Sequence, residues 1–155
     1  MLKKAILIAW LTVGTLDITA ATIQFLINGG KDPLVIFNYI SSAVIGPKAY
    51  EIGAPMMTIL GLALHYLIAL IWTIIFFMIY PRIPIMSKNR VITGIVYGYV
   101  MQFIMTFFVV GVISRLAPRP FNPTGFLTSG AILVVAIGIP LSFMAYRHYY
   151  GKQSS

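Results

Sequence analysis

Cysteine is absent from the 155 residues, so neither a disulfide nor a thiolate metal site can form. Acidic side chains are almost as scarce: Asp17, Asp32 and Glu51 are the only three, and His65 and His148 are the only histidines. Two histidines at different depths in the chain cannot ligate a haem across one plane, and the histidine clusters of a di-iron membrane enzyme are missing. No phosphate-binding glycine loop is present, and Ser114, Ser129 and Ser142 have no candidate base near them in sequence. The reading is therefore of a non-enzymatic chain that calls for no cofactor and no metal. Charged residues make up only 9% of the chain, whereas a soluble domain carries about 25% to keep its surface hydrated. Hydrophobic residues make up 59%, so the solvent this chain is built for is lipid.

The few charges divide the chain into four long apolar stretches. Their expected spans are residues 5–27, 55–80, 91–113 and 126–146, each able to supply the ~20 residues that cross a hydrocarbon core of ~30 Å. Backbone groups inside that core must satisfy one another, so the spans are helices. The fold class expected is all-α: a single membrane domain, 1–155, forming a four-helix transmembrane bundle. Lys3 and Lys4 ahead of an apolar run resemble a signal peptide, but the apolar character continues to Ile27, past any cleavage site near Ala20 or Ala21.

The connection between the first two spans has its own punctuation. Asn28-Gly29-Gly30 stops the first helix, Asp32-Pro33 reads as a helix start, and Gly46-Pro47 as a stop. A helix over 33–45 is too short to span, so it is expected to lie at the outer interface or dip partway in, packed over the bundle mouth. Leu34, Phe37, Ile40 and Val44 would share its apolar face, with Asn38, Ser41 and Ser42 around the rest. A second short turn should run from Pro47 to Ile52. After the third span, Pro118, Pro120 and Pro123 exclude a regular helix, and the fourth helix is expected to begin after Pro123.

The net charge of +8 is distributed unevenly across this topology. One side holds Lys3, Lys4, Arg82, Lys88, Arg90, Arg147 and Lys152; the other holds Lys31, Lys48, Arg115 and Arg119 with Asp32 and Glu51. The positive-inside bias places both termini in the cytoplasm. Trp10 and Tyr80 fall near the inner boundary, and Tyr146, Tyr149 and Tyr150 form a C-terminal aromatic belt. The basic residues form no stripe or module for nucleic acid, so the partner they suit is an anionic bilayer surface.

Polar side chains inside the spans carry most of the functional information. A carboxylate at the middle of a membrane helix costs ~2.5–3.5 kcal/mol on the insertion scale, so Asp17 should face protein or water. It lies on a small and polar stripe with Gly14, Ala21, Gln24 and Asn28. His65, in the second span, lies at a similar depth, with Thr58, Gly61 and Trp72 on or near its face. A carboxylate beside an imidazole is the smallest unit of a proton relay, and it is equally a polar clasp between helices. Gln102 at the centre of the third span is the expected third member of the cluster. Packing residues are Gly14, Ala21 and Gly61, the Gly94-x-x-x-Gly98 pair, and Gly138 ahead of a kinking Pro140.

His65, then Tyr80-Pro81-Arg82-Ile83-Pro84, then a glycine-bearing helix from Gly94 and Gly98 to Gln102, resembles the YagU-like small inner-membrane proteins of bacteria over the second to fourth spans. That resemblance implies a bacterial inner-membrane location; the family has no settled activity to carry over. Three roles stay open. One is an accessory or self-associating bundle, whose partner would be a second copy or a membrane-complex subunit. The alternative is a small proton-coupled transporter or channel using Asp17 and His65. The third is an enzyme or lipid-binding protein using a pocket under the 33–45 helix. An internal repeat, which would favour a transporter, is only loosely present.

Overall fold

The computed structural model describes residues 1–116 and 120–151; Pro118, Arg119 and Lys152, used above for the connection and the charge bias, lie outside these. Among the described residues every regular element is helical. Helix α1 is Leu2–Ile27, α2 Leu34–Ile45, α3 Ala49–Ile52, and α4 Ala54–Ile79, which ends in a tight turn Tyr80–Arg82. Helix α5 is Ile85–Lys88, and α6 is Arg90–Ile104, prolonged by a π-helical segment Met105–Ile113. Helix α7, Pro123–Leu133, passes through a π turn Val134–Gly138 into α8, Ile139–Tyr149. Four of these units are long and apolar enough to cross a membrane: Leu2–Ile27, Pro55–Arg82, Arg90–Ile113 and Pro123–Tyr149.

Boundaries follow local chemistry. The Asn89 side chain accepts from the Val91 and Ile92 backbone N–H groups and so caps α6. Asn122 accepts from Gly125 N–H, and Pro123 is the first residue of α7, not a residue before it. The pair Asn122-Pro123 is the same start signal as Asp32-Pro33, where the Asp32 carboxylate accepts from Leu34 N–H at 3.0 Å. Pro140 has no N–H, and its ring crowds the carbonyl one turn earlier; the widened turn directly before it relieves that clash.

Around the bundle, α1 packs on α4 and on the α7–α8 unit, and that unit packs on α6. Tightness comes from missing side chains. A Cβ on Gly94 would stand 2.6 Å from Ile139 N, one on Gly98 2.7 Å from Val134 Cγ2, and one on Gly138 would collide with the Gly94 carbonyl. The Gly94-x-x-x-Gly98 face is thus spent inside the chain, against the fourth span. Gly14 lets the Tyr66 ring approach to 2.9 Å of the same notional position. The Trp10 indole N–H donates to the Tyr66 carbonyl at 2.7 Å, so Trp10 ties α1 to α4. Tyr80 is fully buried and stacks on Tyr149, whose hydroxyl donates to the Phe77 carbonyl at 2.8 Å. Tyr80 and Tyr149 thus join the end of α4 to the end of α8, and Tyr146, Tyr149 and Tyr150 are half-buried there.

Helix α2 exists where the punctuation placed it, but its expected apolar face is split: Phe37 and Ile40 turn toward the bundle, and Leu34 and Val44 do not. Ser41 and Ser42 are fully buried, the Ser41 hydroxyl donating to the Met57 carbonyl, whereas Leu34 and Val44 are exposed. Phe37 meets Gly61, Thr58 donates to Asn38, and Ser41 meets Met57, so α2 runs antiparallel along the first half of α4 and not across the bundle mouth. The amphipathic rule used for the prediction assumes water outside. In lipid the apolar side chains need no protein cover, and small polar residues fill a close helix crossing best.

Candidate functional site

Asp17 and His65 are brought together from the first and second spans. The His65 Nε2–H donates to the Gly14 carbonyl at 2.8 Å, since a carbonyl can only accept. That bond fixes the imidazole and turns Nδ1 toward Asp17 Oδ2, 4.0 Å away. The His65 side chain is 9% exposed and that of Asp17 21%. Gly14 leaves room beside the pair: a Cβ there would stand 2.9 Å from the Tyr66 ring and 3.5 Å from Ala69 Cβ. An edge-on contact with Tyr66, ring centres 5.3 Å apart, holds the other side of the imidazole.

The pair borders a cavity of about 270 Å³ between α1, α4, α6 and α7. Ala21 and Gln24 continue the polar stripe of α1 along its wall, and Gln102 and Ser129 face it from α6 and α7. Ala21, expected at a helix contact, is half-buried on the cavity wall. Gln102 also departs from expectation: its amide donates to Thr106 Oγ1 at 3.2 Å on its own helix, so it shares the cavity with Asp17 and His65 without bonding either. Thr58 bonds Asn38 and Asn28 sits exposed at the end of α1; neither reaches the pair.

A second cavity of about 540 Å³ lies between the π segment of α6, the start of α7 and Tyr39 of α2. Leu116, Phe121 and Asn122 border it, so it belongs to the end of the bundle that holds α2 and α3. Gln102 and Ser129 line both cavities. Sequence reasoning placed Gln102 at mid-span but missed Ser129, because the pairing of these two across α6 and α7 follows from the helix crossing. At the far side the central cavity ends on Trp72, whose backbone carbonyl accepts from the Tyr97 hydroxyl at 2.6 Å. The Phe76 ring packs on Tyr97 with centres 4.5 Å apart, closing that side.

Chemically, the site sets one carboxylate opposite one imidazole whose Nε2 is committed to Gly14, at a separation of 4.0 Å that is longer than a hydrogen bond. Among the described residues no three His, Asp or Glu side chains converge as metal ligands would. No family model, curated protein or solved structure matches the chain.

Proposed function

We propose that this chain is a small proton-coupled transporter or channel of a bacterial inner membrane, with Asp17 and His65 as the working groups. One observation carries the reading: the 540 Å³ cavity, a vestibule at one end of the bundle, and the central cavity both reach Gln102 and Ser129, so a polar route from the pair toward that end would pass between these two side chains. A carboxylate in a membrane span is a functional group by default when it borders a cavity and not only another helix. The Trp72–Tyr97–Phe76 cluster stands between the pair and the opposite end, as a closed gate would. The surplus of basic residues at that opposite end orients it toward the cytoplasm, with both termini there, so the vestibule faces outward. The resemblance to YagU-like proteins supports the same membrane. An accessory or self-associating bundle is less favoured, because Gly94 and Gly98 are engaged within the chain.

Proteoliposomes carrying a trapped pH dye test this. The wild-type protein is expected to collapse an imposed pH gradient faster than empty vesicles. Asp17→Asn keeps the shape and hydrogen-bonding capacity of the side chain but loses the exchangeable proton, so it should abolish the flux while the protein unfolds at an unchanged denaturant midpoint. Equal flux through wild type and Asp17→Asn would show that Asp17 is a structural clasp.

A further inference from the structure

Elsewhere in the molecule, two consecutive spans meet chiefly around one residue, Tyr97. Helices joined by a short connection ordinarily lie side by side. Here α4 and α6, linked through α5, diverge and leave a groove of about 610 Å³ on the bundle's outer face. Aromatic contacts across it are confined to Tyr97 against Trp72 and Phe76. Its walls are apolar, with Ile75, Ile92, Val96 and Val100 all more than one-third exposed. From the cap residue Asn89 to Ile104 at the end of α6 the groove is ~22 Å long at ~1.5 Å per residue, somewhat more than one leaflet's share of a ~30 Å hydrocarbon core. Empty space of this shape forfeits dispersion contacts along its whole lining, and the available filler is an acyl chain.

The rim gives the groove a chemical preference. Lys88, at the end of α5, lines it beside Asn89. The Asn89 carboxamide is occupied in capping α6. Arg90 is turned away, with its guanidinium 4.4 Å from the Tyr146 ring centre, and Arg82 donates to the Met78 carbonyl. None of the three acids is at this end: Asp17 is mid-span, Asp32 precedes α2 and Glu51 lies within α3. Lys88 therefore stands at the mouth of an acyl-sized groove in a field of uncompensated positive charge, and basic pockets between membrane helices suit anionic lipid headgroups.

We infer that the α4–α6 groove holds one anionic phospholipid, its acyl chain between Ile75 and Val96 and its phosphate against Lys88. This stands apart from the Asp17 reading and is tested apart from it. The protein is reconstituted in vesicles of equal phosphatidylglycerol and phosphatidylcholine, released into mild detergent, and its retained lipid weighed by native mass spectrometry. Wild type should keep phosphatidylglycerol in preference to phosphatidylcholine. Lys88→Gln should reduce that preference roughly fivefold, the share of one lysine near the headgroup plane. Val96→Trp, which fills the groove from an exposed position, should reduce retention of both lipids. Equal retention of the two lipids by wild type, an unchanged preference in Lys88→Gln, or full retention in Val96→Trp would each overturn the assignment.

Discussion

Gly14 lets the Tyr66 ring lie against α1 next to the carbonyl that His65 reaches, and the use of a missing side chain recurs through the bundle. What differs is what the missing methyl would strike. At Gly138 it would meet the backbone carbonyl of Gly94, and at Gly94 the backbone of Ile139, neither of which can rotate aside. At Gly14 it would meet the Tyr66 ring, which can swing. Gly138→Ala and Gly94→Ala should therefore each cost about 1–3 kcal/mol, the usual range for overpacking, and Gly14→Ala less. Reversible unfolding in mixed micelles followed by circular dichroism ranks the three; a Gly14→Ala protein less stable than Gly138→Ala would refute the ordering. A loss of stability at Gly94 without any change in oligomeric state is also expected, since its face is already covered by α8.

At the scale of elements, α2 shows how lipid reverses a familiar rule. Its serines face α4 and its Leu34 and Val44 face outward, because a close helix crossing rewards small side chains and a bilayer does not penalise exposed aliphatic ones. Ser41→Val removes the hydroxyl bond to Met57 and adds volume at a fully buried site, so it should destabilise by about 1–3 kcal/mol. Val44→Ala, at an exposed position, should stay within about 0.5 kcal/mol of wild type. The same unfolding assay decides: equal effects would mean that α2 is not seated on α4 through its serines. The two π segments also belong here. Met105 from the first and Ile137 from the second line the central cavity, so both widened turns border the candidate site, where such turns are commonly found.

For the molecule as a whole, topology and charge act together. The starts of α1 and α6 and the ends of α4 and α8 gather at one end: Ala5 and Arg90 both neighbour Arg147, and Phe77 neighbours Tyr149. That end is basic throughout, which motivates the cytoplasmic orientation. Because no native cysteine interferes, single substitutions read it directly. Lys48→Cys should react with a membrane-impermeant thiol reagent in intact cells, and Asn89→Cys only after permeabilisation. Labelling of Asn89→Cys from outside would invert the molecule and turn the vestibule toward the cytoplasm.

Sequence alone determined the helices, because a membrane leaves the backbone no alternative and because Asp32-Pro33, Gly46-Pro47 and Asn89 punctuate them through strictly local hydrogen bonds. It also picked out Asp17 and His65, since a charge and an imidazole in apolar helices at one depth are costly wherever they do not meet. Tertiary structure decided everything that depends on which helix stands beside which. It turned the serines of α2 inward, committed Gln102 to Thr106, set Ser129 opposite Gln102, and spent the Gly94–Gly98 face on the fourth span. The physical reason is that in lipid all outward apolar faces are nearly equivalent. Helix periodicity then no longer tells inside from outside, and backbone approach at particular glycines fixes the arrangement instead.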